Sequence, residues 1–179
     1  MNLMVRKVDK IVIAAMQGFA IQTGFSLALA CDFRIADTSA RMGSATLRFA
    51  LLPDEGGQFL LVQHLGIQRA MDFLMRKKIA TADEAYELGL LHCAPVPPEA
   101  LLDEAMSLAR ELAAGPQVAM RLLKKTLYNS LELSFEKACD DIATATAVTD
   151  HHPDASGAVQ AFREGRPAVF NEWLDKAKL

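Results

Sequence analysis

Few side chains in this sequence are spaced so that they could do chemistry on their own. His151 and His152 stand side by side between Asp150 and Pro153, where two imidazoles could hold a metal or act as a base. With no third ligand beside them they read as a solvated loop, and no metal site is expected. His64 and His92 stand alone. Ser26, with a histidine and an aspartate elsewhere, has the residue types of a serine hydrolase, yet it lies one turn into a predicted helix without the Gly-x-Ser-x-Gly elbow that exposes such a nucleophile. Asp54 and Glu55, between Pro53 and Gly56-Gly57, precede a helical stretch, where capping and the helix dipole both favour acids. Cys31, Cys93 and Cys139 are odd in number and widely spaced, which argues against a disulfide framework or a zinc site and for a reducing compartment.

Hydrophobic periodicity places these residues on a short series of strands and helices. Lys10 to Ala15 is a β-branched apolar run of the kind buried on both faces of a parallel sheet. Phe25 to Cys31 is rich in Ala and Leu and predicts a helix packed close to that sheet, Asp32 to Ala36 a second strand, and Arg41 to Gly43 a short extended piece. Strand, turn, helix and strand in this order predict a βαβ unit and an α/β class. Beyond Gly57 the period is helical: 59–65, 67–75, 81–88, 99–114, 116–130, 135–148 and a last helix over 155–164. Thr81 and Glu84 form a capping box, Gly89 is placed as the stop, and Pro116 suits a first turn. Residues 90–96, closed by Pro97-Pro98, predict an extra strand or an extended link.

The chain of 179 residues, 51% of them hydrophobic, is long enough for a sizeable core. It is divided here into a partial α/β core over 1–96 and a helical region over 97–179. Nineteen Lys plus Arg against 22 Asp plus Glu are dispersed along it, which argues against nucleic acid or anionic lipid as a partner. No apolar run approaches the ~18 residues of a membrane span, and the first residues lack a signal-peptide core, so a cytoplasmic location away from the membrane is expected.

Read together, Lys10 to Ala20, Ser26 to Ala36, Ala40 to Gly43, Leu52 to Gly57, Arg69 to Asp72, Ala82 to Leu90 and Ala161 to Phe170 resemble, in order and spacing, the enoyl-CoA hydratase/isomerase (crotonase) family. The resemblance implies a ββα spiral, shortened at the N-terminus in this chain, with a C-terminal helical region that builds trimers or hexamers. It implies a coenzyme A thioester as substrate, no permanently bound cofactor, and an enolate held by backbone N–H groups. Preorganised donors of that kind are worth about 3–4 kcal/mol each. The family's usual Gly-Gly-Gly donor loop reads Gln22-Thr23-Gly24 here, which places the oxyanion donor at the Thr23 amide. Ala20, Gln22, Gly24, Ser26 and Thr46 then line the substrate, and Phe162 and Arg166 match residues that meet the coenzyme, Gly165 standing where the family has lysine.

The two glutamates by which hydratases position and deprotonate water correspond to Ser26 and Thr46. A hydroxyl without a base cannot replace a carboxylate whose pKa burial can tune. Isomerisation needs one carboxylate only, and the resemblance puts it at Asp54, with Glu55 as second candidate. The expected function is an acyl-CoA enzyme working through an enolate, double-bond isomerisation ahead of hydration; the alternative is a non-catalytic paralogue or fragment with a binding or assembly role. Family chains carry a further segment before the first strand, holding the other oxyanion amide. Without it the strand at 10–15 would expose an apolar edge, so a homo-oligomer is expected.

Overall fold

A computed structural model describes residues 1–53 and 56–176, and the chain divides into two compact units, Met1–Ala109 and Arg110–Leu179. The first unit opens with α1 (Asn2–Lys7) and strands β1 (Ile13–Met16) and β2 (Phe19–Ile21). Helix α2 (Thr23–Ala30), strands β3 (Phe33–Ala36) and β4 (Arg41–Gly43), and a 3-10 turn at Thr46–Phe49 follow. Then come α3 (Gly57–Met75), β5 (Ile79–Thr81), α4 (Ala82–Glu87) and α5 (Leu101–Ala114), the last running past the division between units.

The strands form two small sheets. β1 pairs in parallel with β3, Ile13 opposite Phe33 through Met16 opposite Ala36. β2 pairs in parallel with β4, Phe19 opposite Arg41, and β5 lies antiparallel on the other side of β4. The α/β class and the parallel βαβ unit are as expected, with different boundaries. The first strand starts at Ile13 rather than Lys10, because Asp32 ties down its approach: Val12 N donates to Asp32 Oδ2 at 2.7 Å and Val12 O accepts from Asp32 N. β2 was not anticipated. Three residues carry no readable period, and the ladder partner that makes them a strand lies some twenty positions away.

Helix α2 shares the main core with α3 through Phe25, Leu29, Leu60, Leu61 and Phe73. The Phe25 and Phe73 rings stack at 5.7 Å. Ala28 and Ala30 are buried, so the small residues on α2 permit the close packing anticipated for them. The helical stretches foreseen at 59–65 and 67–75 are one run broken at Gly66, whose φ of 72° only glycine adopts freely. Residues 90–96 are a link rather than a strand. Arg34 Nε donates to Leu90 O at 2.7 Å, and one bridge joins Asp37 to Val96.

The second unit holds α6 (Gln117–Ser130), α7 (Phe135–Asp150), α8 (Pro153–Arg163) and α9 (Glu172–Lys176). Pro116 caps α6 instead of lying in its first turn. α8 begins two residues earlier than the period suggests, since Pro153 suits N1 and His152 Nδ1 accepts from Asp154 N at 3.2 Å. Asn171 ties the end of this unit to its start, donating its N to Asp154 Oδ1 and accepting from Gln117 N.

Candidate active site

The site predicted from the sequence gathers where β2 turns into α2. Gln22, the hinge, has φ 53° and ψ −120°, a conformation that costs a side-chain-bearing residue on the order of 1–3 kcal/mol. It is anchored by its own N–H, which donates to Gly43 O at 3.0 Å. The helical ladder begins at Ser26 N, which donates to Gln22 O, so the amides of Thr23, Gly24 and Phe25 have no carbonyl within α2 to bond. Thr23 is half-buried and Gly24 exposed. These donors lie beyond the carboxyl end of β2, and β2 runs parallel to β4, an arrangement at whose strand ends α/β proteins take ligands.

Three neutral side chains meet beside them. Ser44 Oγ donates to Gln22 Oε1 at 3.0 Å and lies 3.2 Å from Thr46 Oγ1. Sequence reasoning named Gln22 and Thr46 but missed Ser44, which nothing but its place after Gly43 distinguishes. Ser26 is only 4% exposed, and no acceptor among the described residues bonds its hydroxyl. It faces the first residue of α3: a β-carbon added at Gly57 would collide with Ser26 Oγ. Ala20 is the half-buried middle residue of β2.

Asp54 and Glu55 lie outside the described residues. On either side of them, Pro53 O accepts from Gln58 Nε2 at 2.9 Å and Gly56, with φ 78°, opens α3. A helix thus starts immediately after the acids, as expected. Phe162 and Arg166 belong to the second unit. Phe162 is 86% exposed on α8, and Arg166 Nε donates to Glu164 Oε2 at 2.6 Å, which with Gln160 holds the Glu164 carboxyl below its usual range.

The histidines have structural partners. His64 Nε2 donates to Leu29 O at 3.1 Å, and burial, aided by Arg34, keeps its imidazole below the ordinary value. His92 meets the Phe33 ring edge-on, and His151 Nδ1 lies 2.9 Å from Ala147 O. His152 is not the solvated residue expected: it is half-buried, caps α8 and packs edge-on against Trp173 at 5.5 Å. The tertiary fold supplies the aromatic neighbour that a local reading cannot see.

A match to the model of the Enoyl-CoA hydratase/isomerase family covers residues 2–173. The chain belongs to the enoyl-CoA hydratase/isomerase family. It is 32% identical over 167 residues to the crotonyl-CoA hydratase of Syntrophomonas wolfei, spanning 93% of this chain and 64% of the relative. It is 34% identical to the mitochondrial methylglutaconyl-CoA hydratase of Mus musculus, over 88% of this chain and 51% of that protein. Among solved structures, the enoyl-CoA hydratase of Bacillus anthracis superposes with a TM-score of 0.90 at 32% identity, covering 94% of this chain and 65% of that one. The chain therefore spans about half to two thirds of the length of these relatives. Within this family fold, the first turn of α2 carries the neutral Ser26, and the neutral Thr46 of the 3-10 turn joins the β2–α2 junction through Ser44.

Proposed function

We propose that the chain serves an acyl-CoA enzyme that works through a thioester enolate, shifting a double bond in preference to adding water. The observation that carries this is the make-up of the β2–α2 junction: amide donors at the start of α2 beside hydroxyl and carboxamide groups, with no carboxylate among the described residues of the cluster. Such donors favour a developing oxyanion, whereas water addition needs a base next to the water. Thr23 N–H is the donor in this reading. Asp54, or failing that Glu55, removes the proton from one carbon and returns it to another. The relatives' hydratase names keep water addition as the competing activity. A homo-oligomer, trimer or hexamer, completes the proposal; it is supported by β1, which among the described residues pairs with β3 alone, and by Phe19 on β2, which is 78% exposed.

The test is deuterium uptake from D2O into 2-enoyl- and 3-enoyl-CoA, read by mass spectrometry on the folded protein after its size is set by sedimentation. Uptake or isomerisation that vanishes in Asp54→Asn or in Glu55→Gln would establish the enolate and identify the acid/base. No uptake with either thioester would refute the reading and leave a binding or assembly role.

A further inference from the structure

The hydrogens in the cluster beside Thr23 can be assigned. Gln22 Oε1 is a carbonyl oxygen and only accepts, so the hydrogen on Ser44 Oγ is spent on it. The 3.2 Å contact between Ser44 and Thr46 must then be made by the Thr46 hydroxyl donating to Ser44 Oγ. The bonds run one way, from Thr46 through Ser44 into the Gln22 carbonyl. This polarises the amide and makes its Nε2–H groups stronger donors. Those hydrogens have no acceptor among the described residues, although Gln22 is half-buried. Gln22 immediately precedes Thr23, so covalent geometry keeps Nε2 within about 7 Å of Thr23 N, and closer whenever the side chain is not fully extended. One oxygen bridges any separation up to about 5.8 Å with two hydrogen bonds of about 2.9 Å.

We propose that the Gln22 carboxamide is a second hydrogen-bond donor to the thioester oxygen, acting beside the Thr23 amide, with Ser44 and Thr46 orienting and polarising it. This rests on the enolate reading above and deepens it. It also accounts for a strained, non-glycine residue at the hinge. Gly43 O and Ser44 hold Gln22 in that conformation by two bonds, one from its backbone and one to its side chain.

The test uses acetoacetyl-CoA, a 3-oxoacyl thioester whose enolate absorbs in the near ultraviolet, so that oxyanion stabilisation is read without turnover. The wild-type chain is titrated with pH beside Gln22→Met, Ser44→Ala and Thr46→Val, each checked for fold by circular dichroism. Gln22→Met is expected to lower the bound enolate fraction tenfold or more, and Ser44→Ala and Thr46→Val about threefold, since they leave Nε2 in place. If Gln22→Met folds poorly, Gln22→Glu keeps the acceptor for Ser44 while removing the donor and reads the same loss. Enolate levels within twofold of wild type in the Gln22 variant would overturn the proposal. So would an equal loss in Ser44→Ala, which would make Gln22 a positioning residue only. A wild-type chain that ionises this probe yet exchanges no deuterium into enoyl thioesters would sink the isomerase reading while leaving the Gln22 assignment standing.

Discussion

Gly57→Ala tests whether α2 and α3 meet as described. The new β-carbon would collide with Ser26 Oγ and come within 3.3 Å of Ser26 Cβ. The helices cannot part freely, because the stacked Phe25 and Phe73 rings and buried Leu29, Leu60 and Leu61 bind them into one core. Overpacking of this kind costs about 1–3 kcal/mol, and the helix preference of alanine over glycine returns at most about 1 kcal/mol. A net loss of roughly 1–2 kcal/mol follows. Ser26→Ala alone should be close to neutral, since the hydroxyl it deletes bonds no acceptor among the described residues and a buried group without a partner contributes little. In the double variant the Oγ collision is gone and only the tight contact between β-carbons remains, so about 1 kcal/mol should return as a coupling between the two sites. Urea unfolding followed by far-ultraviolet circular dichroism resolves this: with a slope of about 1–3 kcal/mol per molar, Gly57→Ala should lower the midpoint by several tenths of a molar or more. Refutation would be a Gly57→Ala chain as stable as wild type, or a Ser26→Ala change that recovers nothing.

Two further outcomes concern the scaffold. Burial, Arg34 and Arg6 hold His64 below the ordinary histidine value of 6.5, so the folded chain takes up this proton at lower pH than the unfolded chain does. Its contribution is therefore complete above about pH 6.5 and is lost as pH falls below that value and through the lowered value of the folded chain; thermal midpoints between pH 7.5 and 5.5 should drop, and the drop should shrink in His64→Gln. Thr81→Ala removes the hydroxyl that accepts from Glu84 N at 3.2 Å in the α4 capping box and should cost about 1 kcal/mol in the same urea assay.

The sequence alone determined what is local or carried by residue order: the βαβ unit, the break at Gly66, the Thr81–Glu84 cap, the helix after Pro53–Gly57 and the family resemblance. Each rests on neighbours within a few positions, or on motif order along the chain, and both are written in the primary structure. Its candidate residues at 20–26 and 46 could be named by type, but how Gln22, Ser44 and Thr46 join was illegible, because twenty-two positions separate Gln22 from Ser44. Contacts made in three dimensions set these points. The parallel pairing of β2 with β4 brings the two strand ends together, and side-chain hydrogen bonds form only where folding has fixed both partners. Likewise, long-range packing turned Ser26 beneath Gly57 and set His152 against Trp173, contacts that no hydrophobic period encodes.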